Sequence, residues 1–390
     1  MEPDFYIGRE QTLVKHLILQ KYLERFAHII GSRWSTLTYV DCFSGPWNVR
    51  SDDLRDSSFS IALNELRQAR DTHAAKNRNL SLRCLFLEKD HEAFERLREF
   101  AESVTDAEIL PLNLELEDAV GEITSFLRKG GASSFPFIFI DPTGWTGFAM
   151  DLIEPLLQFN PGEALINFMT GDIQRFVTSP QHQTEESFLR LFGSKEFKKV
   201  VEGLSERDRE DALVEEYRRV VSARGDFRFT CSAIILHPES NRTRYHLIYA
   251  TRHPKGVEVF KDAEKIAMRK MEDVRGDVRQ RRNEEVTGPT LFPDLWHDSS
   301  YFDSLRERYT QRAKQAVLDL LRSKKQVLYD DAWEVALSFP LTWETDLKQW
   351  LDGWTKQTSN EHLEFGGMSP RQRVPKYGKG NILLLKTLRS

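Results

Sequence analysis

The stretch from Thr38 to Trp47, TYVDCFSGPW, begins as an apolar, β-branched run, reaches an aspartate and breaks at once into Ser44, Gly45 and Pro46. A buried parallel strand ends in this way when it must turn sharply into a loop. A carboxylate at the strand tip, with a glycine close behind, suits a ligand lying against bare backbone. The stretch from Phe135 to Gly147, FPFIFIDPTGWTG, repeats the pattern, an apolar strand ending in Asp-Pro and a glycine turn. Two strands that present Asp41 and Asp141 at their carboxyl ends imply one crevice, because open α/β sheets bind ligands along that edge.

Outward from these two strands the chain alternates. Glu10–Ile30 has apolar residues at helical spacing, and Phe59–Arg70 is a second amphipathic helix. Ser81–Leu87 is an apolar strand with Glu88 at its tip, where nucleotide-binding α/β units place an acid on ribose hydroxyls; the other reading is a solvated strand-end glutamate. A helix over His91–Val104 leads to the strand Ala107–Leu112 and Asn113, whose amide is positioned to read an adenine ring. A helix over Ala119–Leu127, the Asp141 strand, a helix over Phe148–Leu157 and the strand Ala164–Met169 complete the series. Strand–helix alternation of this kind specifies a parallel, doubly wound sheet. Right-handed crossovers then bring Asp41, Glu88, Asn113 and Asp141 to one edge. Residues 174–224 read as a helical insert, a possible cover for the crevice. Phe229–Pro238 and Thr243–Thr251 read as an antiparallel hairpin across the turn ESNR.

The remaining segments set the domain plan. Residues 1–265 form the Rossmann-like domain, residues 266–300 a charged linker, and residues 301–390 a small unit of three helices and a basic hairpin, the parts of a winged helix. That hairpin carries Arg371, Arg373, Lys376 and Lys379, where a wing touches phosphates. The 390 residues carry a net charge of −5, with 40% apolar and 29% charged residues, which argues against a uniformly basic nucleic-acid coat. No apolar run approaches the roughly 20 residues that span a bilayer. An acidic, polar start and three scattered cysteines, Cys42, Cys84 and Cys231, fit the cytoplasm, with no metal site and no disulfide framework expected. His237, His246 and His253 read as surface or core residues.

A parallel sheet closed by an antiparallel hairpin points to S-adenosylmethionine-dependent methyltransferases. More narrowly, the stretches LVKHLILQKYLERF, YVDCFSGPW, SFSIALNELR, FLEKD, IFIDPTGWTG, INFM and YHLIYATRHPKG, in that order between Leu13 and Gly256, resemble the three-Cys-motif partner protein (TcmP) family. The resemblance implies a methyltransferase-like domain followed by a winged-helix-like domain. It implies that Asp41, Phe43, Ser44, Gly45 and Pro46 form the loop under the methionine part of the cofactor, that Glu88 holds the ribose and that Asn113 sits near adenine. Asp141 and Pro142 would face a substrate amine. Enzymes that methylate exocyclic amines of bases use a D-P-P-aromatic motif; here the order is DPTGW, so Trp145 would do the stacking. The cofactor loop also departs, reading GPW with Trp47 where the family commonly has a second glycine. Two functions follow. One is methylation of nucleic acid, an exocyclic base amine in particular. The other is a non-catalytic adaptor that docks a genetically linked three-Cys-motif protein. Each strand-end aspartate also has a bland reading, a carboxylate satisfied by nearby backbone N–H groups.

Overall fold

The computed structural model describes residues 3–45, 49–171, 173, 182–288, 298–356 and 361–387. The chain divides into two units, Met1–His297 and Asp298–Ser390.

In the first unit the apolar runs pair as seven strands. These are β1 (Thr36–Asp41), β2 (Ser81–Leu87), β3 (Glu108–Leu112), β4 (Ser134–Ile140), β5 (Glu163–Phe168), β6 (Phe229–Leu236) and β7 (Thr243–Thr251). Their order in the sheet is β3-β2-β1-β4-β5-β7-β6, with β1 to β5 parallel and β7 antiparallel to β5. This is the methyltransferase-like Rossmann arrangement. Its register sets Asp41 beside Phe86 and Phe139, so the chain leaves β1, β2 and β4 at the same level of the sheet.

Helices cover both faces because the strands are apolar on both. On one face α1 (Glu10–Gly31) lies beside α2 (Ser58–Ala74) and the long α9 (Pro254–Thr287). Tyr22 and Phe26 of α1 meet Phe137 of β4 at ring-centroid distances of 5.3 and 5.5 Å, and Tyr39 of β1 stacks on Phe137 from the side. The other face carries α4 (Leu116–Lys129), α5 (Met150–Leu157) and α8 (Glu206–Gly225), packed on Val40, Leu85, Ile138 and Ile166. Helix α3 (His91–Ser103) packs near β3, and the insert, whose residues 174–181 lie outside the described set, contributes α6 (His182–Phe192), α7 (Glu196–Val201) and α8. Side-chain caps start several helices: Ser57 accepts from the Ser60 amide at 3.2 Å, and Asp90 from that of Ala93 at 2.9 Å.

The stretch expected to be a linker from 266 onward is helix as far as Thr287, the second half of α9, and belongs to the first unit. Its Arg-rich surface hid a buried stripe. Ala267, Met271, Val274 and Val278 recur at helical spacing and are all buried.

The second unit contains α10 (Ser300–Lys324), β8 (Gln326–Leu328), α11 (Tyr329–Ser338), α12 (Glu344–Thr355), β9 (Glu361–Gly366) and β10 (Ile382–Thr387). Its sheet is antiparallel in the order β8-β10-β9. Trp333, Leu347 and Leu383 are fully buried in its core. The three-residue β8 is too short to register as a sequence pattern.

Phe137, fully buried, is the ring on which Tyr22, Phe26 and Tyr39 converge. Phe137→Ala is expected to destabilise the first unit by about 3–5 kcal/mol. Urea unfolding of variant and wild type, compared at matched slope, measures this; a loss below 1 kcal/mol would mean the aromatic contact is not what holds α1 on the sheet.

Candidate functional site

The backbone leaving β1 is pinned from two sides. Ser44, 1% exposed, donates its amide to the Leu87 carbonyl at 2.7 Å. Its hydroxyl donates to the Asp41 carbonyl at 2.9 Å and accepts from the Leu87 amide at 3.2 Å. One short side chain thus fastens the loop from Cys42 to Gly45 onto the end of β2. Pro46 and Trp47 lie outside the described residues.

Asp41 is fully buried. Its carboxylate accepts from the Ser58 hydroxyl at 2.6 Å, the Phe43 amide at 3.1 Å and the Tyr39 hydroxyl at 3.2 Å. All three donors are neutral, so desolvation prevails and pushes its pKa up to about 6, with the Asp141 charge adding in the same direction. Asp41 therefore shapes the loop from below. What it presents to the crevice is the Phe43–Gly45 backbone and not its own oxygens.

Glu88 follows β2 directly, its amide donating to the Leu112 carbonyl at 3.0 Å. It is largely buried, which raises its pKa, and its carboxylate accepts from the Asp90 amide at 2.6 Å. Asn113 stands one strand further along. Its amide nitrogen donates to the carbonyls of Glu88 at 2.9 Å and Lys89 at 3.2 Å, and its oxygen lies 3.4 Å from His91 Nδ1. The side chain is thus committed to joining the loops after β2 and β3.

Asp141 at the end of β4 has different company. The Lys15 ammonium of α1 forms an ion pair with its Oδ2, and Asn167 Nδ2 donates to its Oδ1 at 2.8 Å. The Lys15 and Asp141 side chains are only 10% and 13% exposed. Asn167 also reaches towards the Pro142 carbonyl at 3.5 Å, while its own Oδ1 is buried with no hydrogen-bond partner. Trp145 is half-buried, its ring 5.9 Å from that of Phe188, on the apolar cluster beneath the loop. Next to this group His246 of β7 is buried with Nδ1 3.0 Å from the Thr170 hydroxyl, and burial drops its pKa to about 3, so it is a neutral core imidazole.

The edge therefore brings together Asp41, Phe43, Ser44, Gly45, Glu88, Asn113, Asp141 and Pro142 as the strand pattern requires, and adds Lys15, Ser58 and Asn167. Lys15 had a signal in the sequence. With Leu19, Tyr22 and Phe26 it falls on the buried stripe of α1, where a lysine needs a partner. Asn167 had one also, as a lone amide inside the apolar run ALINFM.

No family profile matches the chain, and no curated protein matches it. Among solved structures it is similar to a Legionella pneumophila protein of the family DUF519, at 12% identity and a TM-score of 0.37 over 66% of this chain and 91% of that one. It is also similar to a loganic acid methyltransferase solved with SAH, at 9% identity and a TM-score of 0.30 over 74% of this chain and 94% of that one. Among the described residues no group of His, Cys, Asp or Glu is arranged to hold a metal, and no helix is long and apolar enough to cross a membrane.

The four basic residues lie in the second unit. Arg371, Arg373, Lys376 and Lys379 are exposed on the turn between β9 and β10 and make no ion pair among the described residues. Asn381, fully buried, holds that turn in place: its oxygen accepts from the Lys376 amide at 2.8 Å and its nitrogen donates to the Gly367 carbonyl at 2.9 Å.

The state of Asp41 is testable through stability. A carboxyl whose folded pKa stands at about 6, above its ordinary 3.8, contributes stability that is fully present below 3.8 and is lost as pH rises through 6. Asn at this position does not ionise. The stability of Asp41→Asn relative to wild type should therefore move in the variant's favour by about 2.5 kcal/mol between pH 4 and pH 8. Urea unfolding across that range reads the difference directly, and a difference independent of pH would show that Asp41 is not held in this way.

Proposed function

We propose that the first unit is an S-adenosylmethionine-dependent methyltransferase acting on an amine, with an exocyclic amine of a nucleic-acid base as its substrate. The observation that carries the reading is the group at the end of β4. Asp141 sits among N–H donors, Lys15 and Asn167, and the buried Asn167 oxygen has no partner. Such a group accepts hydrogens from a nitrogen, and the orphan carbonyl is a cost that a substrate N–H would relieve. Holding both hydrogens of an amine aims its lone pair along one line, which is the positioning that methyl transfer needs.

The residues at the neighbouring strand ends fit the cofactor. The Phe43–Gly45 backbone, fixed by Ser44, would pass under its methionine part, and Glu88 would hold the ribose hydroxyls. When bound, S-adenosylmethionine supplies a methyl group already activated as a sulfonium. The protein's share is to orient the amine, to hold the Asp141 charge with Lys15 and to keep water from the strand ends. Asn113, spent on two carbonyls, shapes the adenine side of the crevice through the loop after Glu88. Trp145 walls the substrate side.

The second unit supports the nucleic-acid part of the reading. Three helices and a three-stranded antiparallel sheet are the parts of a winged helix, and the four cations on the β9–β10 turn make no ion pair among the described residues, although Asp330 accepts from the Gly378 amide of that turn at 3.0 Å. One observation favours a different reading. The Lys15–Asp141 pair already fills the place of a substrate amine, as it would in a non-catalytic adaptor that docks a three-Cys-motif protein.

Methyl transfer from a labelled donor to oligonucleotides separates the two. In the enzyme, Asp141→Ala and Asn167→Leu each lower transfer by about 100-fold, while calorimetric affinity for S-adenosylhomocysteine stays within threefold. Absence of any affinity for S-adenosylmethionine or S-adenosylhomocysteine would sink the methyltransferase reading. Contact of all four cations with phosphate predicts that log affinity for duplex falls against log salt with a slope of about −3 to −4. A flat dependence would remove nucleic acid as the partner of the second unit.

A further inference from the structure

The geometry points to a second ligand site in the first unit, on the edge of the sheet opposite the crevice, for a small amphipathic anion with a flat, apolar body. Strands of about six residues separate the two edges by about 20 Å. At the amino-terminal ends of β4 and β5, a cavity of about 790 Å³ opens between the end of α1, the start of β5 and the turn from β7 into α9. That volume lies within the range of small-molecule pockets.

Its walls are aromatic and apolar. Trp34 and Phe26 each meet Phe135 edge to face at 5.7 Å, and Val259 of α9 closes the other side. Such walls favour a planar body, through burial and through ring–ring contact. The floor is a buried polar cluster in which Glu163, 4% exposed, accepts hydrogen bonds from the hydroxyls of Tyr22 and Thr251, while the Tyr22 and Tyr249 oxygens lie 2.7 Å apart. Burial raises the Glu163 carboxyl above its ordinary value, which lessens the negative charge an incoming anion meets.

The mouth is cationic. Arg252 is not available, since its guanidinium donates to the carbonyls of Phe159 and Gly162 at 3.0 Å and of Leu157 at 3.1 Å, and so builds the wall. Lys255 is paired with Glu258 at 2.5 Å. Arg33 is exposed and makes no ion pair among the described residues; its charge reaches across the mouth to His253, where it adds to burial in keeping the imidazole neutral. One unpaired cation over aromatic walls calls for a ligand with one anionic head, an aromatic carboxylate by class. Nothing in this inference depends on the methyltransferase reading, and none of these residues belongs to the crevice.

The test is calorimetric titration of the full chain with 2-naphthoate and with 2-naphthylmethylamine, which has the same body and the opposite charge. Saturable 1:1 binding of naphthoate, about tenfold tighter than of the amine, is expected. Arg33→Glu should reverse that order. Ser32→Trp, at an exposed position of the cavity rim, should abolish binding of both, with an unchanged melting temperature showing that each variant is folded. Affinity for S-adenosylhomocysteine should not change in either variant. No saturable naphthoate binding at millimolar concentration, tighter binding of the amine to wild type, or binding indifferent to both substitutions would each overturn the assignment.

Discussion

The seating of α1 on β4 is the contact from which the first unit takes its geometry. Tyr22 and Phe26 lock onto Phe137, and that fixes both the rotation of the helix and its position along the sheet. From Lys15 to Gly31 the helix runs about 24 Å at its usual rise. One end delivers an ammonium to Asp141, and the other delivers Ile29, Ile30 and Trp34 to the opposite edge. A helix turned by one residue would offer neither, so the aromatic packing sets which side chains both ends of the sheet present.

The two strand-end aspartates have the same sequence context and different electrostatics. Asp41 is enclosed by neutral donors and resists ionisation, whereas Asp141 faces a cation. The difference comes from the helices beside them: α2 supplies the neutral Ser58 to Asp41 from 17 residues away, and α1 supplies Lys15 to Asp141 across 126 residues. One sheet edge thus holds two carboxyls of the same sequence context in divided environments, one among neutral donors and one beside a cation.

That also marks how far the sequence could be read. The parallel strands were visible because each is a continuous apolar run ending in a polar residue, and the reversed hairpin because its turn is polar. The strand-end set Asp41, Glu88, Asn113 and Asp141 followed from topology. Lys15 did not, because a lysine in an amphipathic helix normally faces water, and only its position on the stripe with Leu19 and Tyr22 argues otherwise. The second half of α9 resembles a linker in sequence for a related reason: the arginines dominate its composition, while Ala267, Met271 and Val274 carry its packing in small or flexible side chains that raise no strong signal. The hydrogen bonds that take up Asn113 are equally silent in sequence, since a side chain's partners are set by loops that meet only in three dimensions.

The antiparallel pairing of α1 with α9 joins the first helix of this unit to its last. Arg281 forms an ion pair with Glu10 across 271 residues, at 2.5 Å, and Phe260 of α9 packs at the edge of Tyr22. A ribosome adding 5–20 residues per second needs roughly 14–54 s to make that span. Throughout that time the α9-facing stripe of α1 has no partner of its own chain to cover it. That stripe of α1 thus stays uncovered in the nascent chain until α9 is made, and only then does the unit close.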